Sequence, residues 1–400
     1  MKKRIISALL ALATAISMAG CNAKSEDTGA NSNEVTKAQT TANREETQKA
    51  ETTKKETTVE TTTAETTVTE PPVEVVEPPA SDFEYEYDAV LEGVVITEYT
   101  GEAVSIRIPK EIDGDVVKKV TLYGCSGLKS ITIPDSFTSV NESAFTNCTG
   151  LTSVTIPDSV TSIGDSAFYG CRGLTSITIP DSVTSIGERA FYGCEGFTSI
   201  TIPDSVISIG EYAFSNCEGL TNITICNSFI GKYAFYECTG LTNIEIPNNV
   251  TSISVGAFGY CAGLTSVTIA DSVTSIGEGA FGNCTGLTSI TIPDSITSID
   301  VAVFTYCTEL TSVTIPDSVT SIGNGAFNYC TGLKSITIPD SVTSIGDYAF
   351  YNCTTLRDLT IPDGVTSIGR GAVDDCKALT VTYKGKSYNY TNFKDLYNLF

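Results

Sequence analysis

Between residues 125 and 379 hydrophobic and polar positions recur with a single spacing. The run from Cys171 to Gly193 shows the unit: Leu174, Ile177 and Ile179 are apolar, Ser176 and Thr178 separate them, and Val183, Ile186 and the pair Ala190-Phe191 follow. Alternation over Ser-Ile-Thr-Ile predicts a half-buried strand with Ile177 and Ile179 on one face and Ser176 and Thr178 on the other. Cysteines mark the period at 125, 148, 171, 194, 217, 238, 261, 284, 307, 330, 353 and 376; ten of the eleven intervals are 23 residues, and Cys217 to Cys238 is 21. A fixed period of this length predicts a repeat solenoid with one parallel strand per 23-residue coil, wound as a right-handed superhelix.

One coil cannot shield its own apolar face, but stacked coils share one continuous core. Each contributes equivalents of Leu174, Ile177, Ile179, Val183, Ile186, Ala190, Phe191 and Cys194, and the Phe row from Phe145 to Phe350 is expected to stack along the convex side. At about 4.8 Å between strands, a dozen coils make a concave sheet roughly 55 to 60 Å long. Open ends need caps. Residues 83–124, with Tyr85, Tyr87, Val94, Val95, Ile96, Val104, Ile106 and Ile108, read as an irregular β cap and first repeat, and 380–400 as a hairpin turning at Lys384-Gly385-Lys386 plus a short amphipathic helix.

The first twenty residues read as an address. Lys2, Lys3 and Arg4 precede an apolar run from Ile5 to Met18 that is short for a membrane span, and Ala19-Gly20 are small. The Met-Ala-Gly-Cys run that follows resembles a bacterial lipoprotein signal, which implies a lipid on Cys21 and residence on the extracellular face of the cell membrane without a spanning helix. Residues 21–82 then change to Thr, Glu, Lys and Ala; Glu51 to Thr69 carries no hydrophobic period, which predicts a disordered stalk stiffened by Pro71, Pro72, Pro78 and Pro79.

Composition removes several kinds of chemistry. There is no His, which excludes Ser-His-Asp and Cys-His catalysis and His-held metals, and no Trp. A net charge of −23 argues against nucleic acid as a partner, because phosphate contacts need clustered Lys and Arg. No sequence feature calls for a cofactor.

The repeated rows are then the candidates. The cysteine row reads as buried, reduced thiols that pack as small apolar groups; Cys226, which replaces the Pro of the I-P-D-S turn in the shortened coil, is the expected exposed thiol. Of the Asp row (Asp135, Asp158, Asp181, Asp204, Asp271, Asp294, Asp317, Asp340, Asp363), the expected role is a turn in which Pro presets φ and the Asp side chain accepts backbone N–H bonds, with a calcium ladder as the alternative. The outward strand positions form a hydroxyl ladder that includes Ser130, Thr132, Ser176, Thr178, Ser199 and Thr201; Asn222, Asn243 and Glu245 interrupt it beside the 21-residue coil. Such a ladder is poor in the residue types that anchor one tight protein partner but suits a repetitive ligand. Residues that vary between coils cluster around Ala-Phe and Cys, among them Arg172, Arg189, Tyr192, Tyr212, Tyr233 and Tyr236, and Tyr and Arg are the types that anchor interfaces.

The unit C-x-x-L-x-x-I-x-I-P-x-x-V-x-x-I-x-x-x-A-F, from about Val104 to Leu379, resembles the BspA-like, or Treponema-type, leucine-rich repeats of bacterial surface proteins. GVVITEYTGEAVSIRIP and VTYKGKSYNYTNFKDLYN resemble that family's terminal segments. The resemblance implies a cell-surface protein of a kind associated with adhesion to host matrix proteins and to other bacteria, with no catalytic residues to carry over; the expectation here is a non-catalytic monomer that binds an extracellular protein, another cell or a repetitive glycan. A structural spacer of the envelope and an ordered-surface binder, for a glycan array or ice, are the alternative readings.

Overall fold

The computed structural model describes residues 74–225 and 229–400. The expected lipidation site, Cys21, the leader, the stalk up to residue 73 and the thiol of Cys226 lie outside them.

Except at residues 176–179, the coils form a parallel strand where the Ser-Ile-Thr alternation lies, and each also forms a second one. The first ladder runs through Ser105–Arg107, Ser130–Thr132 and Ser153–Thr155, then Ser199–Ile202 with Asn222–Ile225, Asn243–Ile246 with Ser266–Ile269, and onward to Asp358–Ile361. Residues 176–179 follow the same course without a registered strand, so the ladder is interrupted there. The second ladder consists of two-residue strands: Ser139–Val140, Ser162–Ile163, Ser185–Ile186, Ser208–Ile209 and Phe229–Ile230 pair in sequence. The expected single strand per coil is thus joined by another, whose inward Ile is Ile186 or its equivalent. Along this second ladder the register advances 23 residues per coil, except from Ser208 to Phe229, where it advances 21.

Between the two ladders the chain turns. Pro180 occupies the first turn position, its carbonyl accepting from Val183 N at 3.0 Å. Ser182 Oγ, not Asp181, ties the turn to its neighbour by donating to Val160 O at 2.6 Å, and Ser159, Ser272, Ser295, Ser318 and Ser341 do the same. The expected Asp-to-backbone bonds are replaced by these Ser bonds, because a hydroxyl can donate to a free carbonyl of the preceding coil and a carboxylate cannot. The Asp row is left exposed in solvent, and among the described residues no group of three metal-ligating side chains is assembled.

On the third side the hydrogen bonds run the other way along the stack. Phe168 N donates to Ala190 O (2.7 Å) and Gly170 N to Tyr192 O (2.7 Å), toward the next coil, whereas Thr184 N and Gly187 N donate back to Thr161 O and Ile163 O (2.8 Å each). Backbone groups buried by stacking are thereby satisfied between coils. Inside lie the repeated apolar side chains. The Phe row from Phe145 to Phe350 is fully buried and stacks ring on ring, for example Phe168 on Phe191 at 5.2 Å and 5°.

Both ends are covered. Phe83–Asp88 pairs antiparallel with Gly93–Tyr99, which runs parallel to Asp115–Val120; Glu111–Ile112 returns against the latter. At the other end Thr380–Tyr383 and Lys386–Asn389 form a hairpin, with Lys384 (φ 48°) and Gly385 (φ 70°) in its turn. The helix that follows is confined to Phe393–Tyr397 and buries Phe393 and Leu396. No described helix is long and apolar enough to cross a membrane.

Candidate functional site

The side chains singled out in the sequence fall into two separate sets of rows. Ser176, Thr178, Ser199, Thr201, Asn222, Asn243 and Glu245 are exposed on the first ladder, as read. At its beginning the ladder departs from expectation: Thr132 is buried and Ser130 half-buried.

The second set lies after the Ser-Ile strand, in three rows flanking the buried Ala-Phe pair. Every coil there passes twice through the left-handed region, once just before Ala-Phe and once just before Cys. Glycine takes these positions without steric penalty, as at Gly256 (φ 60°), Gly279 (φ 59°) and Gly193 (φ 68°). Yet Tyr212, Tyr233, Tyr260, Tyr306, Tyr329 and Tyr348 hold φ between 54° and 60°, and Arg189 holds 51°. A bulky residue in this conformation costs on the order of 1 to 2 kcal/mol. Part of that is returned by contact: Tyr212 stacks on Tyr233 at 4.9 Å and 11°, Tyr306 on Tyr329 at 4.5 Å and 7°, and the Arg189 guanidinium lies 5.2 Å over Tyr212.

The rows join into a patch. In the row just after Phe, Tyr169 stacks on Tyr192 at 4.9 Å and 4°; Tyr233 meets Tyr236 edge-on at 5.7 Å, and Tyr236 leans on Tyr260 at 5.0 Å. The ring of Tyr233 lies over Gly256 where any Cβ would collide with it, so the glycine downstream makes room for the tyrosine. Arg172 Nε pairs with Glu195 Oε1 at 3.3 Å, and Arg189 pairs with Glu188. Partial burial raises the phenol pKa of Tyr192 and Tyr212, with neighbouring phenols and carboxylates adding to it; Tyr236 is pushed up to about 12, first by burial and then by Tyr260 and Glu237. These phenols are neutral donors and acceptors at physiological pH.

Tyr192, Tyr212, Tyr233, Tyr236 and Arg189 are therefore brought together, and Arg172 stands at the same edge in an ion pair of its own. The left-handed geometry was not anticipated, although glycines in the same rows at 256, 279, 325 and 371 carry its signal. Equally unforeseen are Ile207 and Phe229, 66% and 58% exposed beside each other on the second ladder of the shortened coil. No nucleophile-base pair or distinct acid-base carboxylate pair arises among these rows.

The sequence profile of a BspA type leucine rich repeat region of six copies matches residues 115–229, 161–288, 228–355 and 321–398. Among solved structures, a leucine-rich repeat protein from Bacteroides ovatus is 30% identical over 76% of this chain and 88% of its own, with a TM-score of 0.65. A leucine rich cell surface protein from Faecalibacterium prausnitzii is 31% identical over 76% of this chain and 94% of its own, with a TM-score of 0.42. Curated proteins give no match. On the repeat, its period, the profile match and the likeness to the Bacteroides ovatus protein, the chain belongs to the BspA-type leucine-rich-repeat family.

Proposed function

We propose that this is a non-catalytic binding protein of the bacterial cell surface, held by a lipid on Cys21 and raised on the Thr-rich stalk that precedes residue 74, whose tyrosine edge adheres to an extracellular protein. The leader-like start and the Thr-rich stalk support its placement. The observation that carries the binding role is the presence of tyrosines at left-handed positions that glycine fills without cost. Backbone strain of this kind concentrates at functional sites, and Tyr supplies large, rigid, amphipathic contact area at low entropic cost. Repetition along the stack adds avidity to individually modest contacts.

A second reading rests on the other rows. Ser199, Thr201, Ser289 and Thr291 present evenly spaced, exposed hydroxyls on registered strands, which suits an ordered, repetitive ligand such as a glycan.

Binding of the full-length protein to immobilised matrix proteins, bacterial cells and a glycan array separates the readings. Replacing Tyr212 and Tyr233 together by Gly is expected to weaken binding to proteins and cells by at least about tenfold, as loss of interface hot spots does. Replacing Thr201 and Thr291 by Trp is expected to leave it unchanged. The reverse pattern, with glycan binding lost in the Thr variants, selects the hydroxyl ladder, and silence across the whole panel selects a structural role.

A further inference from the structure

The tyrosine edge also carries a charge pattern that narrows its partner. Between residues 141 and 300 the rows around Ala-Phe and Cys carry nine carboxylates, among them Glu188, Glu195, Glu211 and Glu237, but only three cations, Arg172, Arg189 and Lys232. Arg172 is engaged with Glu195, and Arg189 with Glu188 and the Tyr212 ring. Glu211 directly precedes Tyr212, and the charge of Glu237 acts on both Tyr192 and Tyr236. Lys232, exposed one coil on from Glu211 in the same row, is the third cation, so phenols and an excess of carboxylates over cations share one surface.

Ring geometry decides between partner chemistries. Tyr169 with Tyr192 and Tyr212 with Tyr233 stack at 4.9 Å within 11° of parallel, so each pair turns ring faces onto one another. A sugar that packs on aromatic residues needs an open face, and these pairs offer mainly edges and hydroxyls. The outer face of Tyr212 shows what such a surface accepts, since a guanidinium already lies over it.

We propose that this edge, read as the contact surface above, recognises a Lys- and Arg-rich polypeptide segment of a partner protein. Ammonium and guanidinium groups would meet Glu211 and Glu237 and donate to phenol oxygens at the exposed ring edges. Like-charged acidic segments would be rejected by the same carboxylates.

The test uses full-length protein and two synthetic peptides of equal length, one alternating Lys and Ser and one alternating Glu and Ser, from about 10 mM to about 1 M salt. The Lys peptide is expected to bind saturably and to lose affinity by at least about tenfold across that range, while the Glu peptide stays unbound. The double variant E211Q/E237Q should weaken the Lys peptide by about fivefold or more, and Y212G/Y233G should abolish its binding. D181N/D294N makes the same change of charge at exposed turn carboxylates away from the tyrosines and should have no effect. Equal weakening by D181N/D294N overturns the proposal in favour of diffuse charge attraction, as does equal binding of the Glu peptide. If the Lys peptide fails to bind while Y212G/Y233G still weakens attachment to matrix proteins or cells, the basic partner falls and the contact edge stands. If the Tyr variants alter neither, both fall. Thermal melts confirm that each variant is folded.

Discussion

The Cys261 thiol donates to the carbonyl oxygen of Phe235, 3.1 Å away and one coil earlier. That oxygen also accepts the Cys238 N–H at 3.4 Å, so both of its lone pairs are used. The relationship recurs along the stack, from Cys171 onto Phe145 to Cys376 onto Phe350. It gives the cysteine row a purpose beyond apolar filling. A small residue that is also a weak donor closes the carbonyl that the turn before Cys leaves half satisfied.

Replacement of Cys261 by Val keeps volume and removes the donor, and should cost about 1 kcal/mol. Replacement by Ala adds a cavity and should cost about 2 kcal/mol. Denaturant unfolding with hydrogen exchange at residues 235–261 distinguishes these from a thiol that only fills space, for which Val would be neutral.

Much of this was legible because the chain is its own alignment. The twelve cysteines fix the period, and Leu174, Ile177, Val183 and Phe191 repeat often enough that their inward faces could be assigned without a neighbour in view. The second strand was missed because Ser185–Ile186 is two residues long, too short for an alternation to register. The role of Ser182 was assigned to Asp181 because turn chemistry is local, whereas the bond to Val160 O comes from the coil before. The tyrosine edge was legible as residue types but not as geometry. Only the coil's path shows that Tyr212 and Gly279 occupy the same left-handed position.

Alkaline pH should destabilise the solenoid from within. Burial pushes the thiols of Cys171, Cys238 and Cys330 up to about 12, from an ordinary value of 9.0. A folded pKa above the unfolded one gives stability that is fully present below about pH 9 and is lost as pH rises toward 12. Thermal midpoints should therefore hold steady from neutral pH to the ordinary thiol pKa and fall beyond it. Cys238→Val should flatten part of the decline, and an unchanged decline in that variant would assign it to other groups.

Among the described cysteines, thiol reactivity should be concentrated at the first coil. Cys125 is the half-buried member of the described cysteines, and Cys148 to Cys376 are all buried. It lines a small cavity with Tyr99, Gly101, Glu102, Ala103, Val104 and Leu128. The neighbouring Cys148 thiol holds its pKa below the ordinary value, against the opposing effect of burial. Since the thiolate is the reactive form, brief iodoacetamide treatment of native protein should modify Cys125 well before any of the eleven buried thiols. Peptide mapping reads this site by site, and uniform modification along the row would show that the coils open readily.

The left-handed tyrosines should respond to substitution in a way that ordinary surface residues do not. Tyr212→Gly removes the backbone strain, on the order of 1 kcal/mol, and also removes the stack on Tyr233, worth about 0.5 to 1.5 kcal/mol. The two nearly cancel, so stability should stay within about 1 kcal/mol of the parent. Tyr212→Val loses the same stack but keeps a side chain that is branched at Cβ at φ 54°, and should cost about 2 to 3 kcal/mol. Denaturant midpoints of the two variants provide the comparison. A Val variant as stable as the Gly variant would mean that the backbone at 212 relaxes freely, removing the strain on which the edge is distinguished from a tolerant surface. A wide gap, with partner binding lost in both, would show that the ring is kept at 212 for what it touches outside the chain.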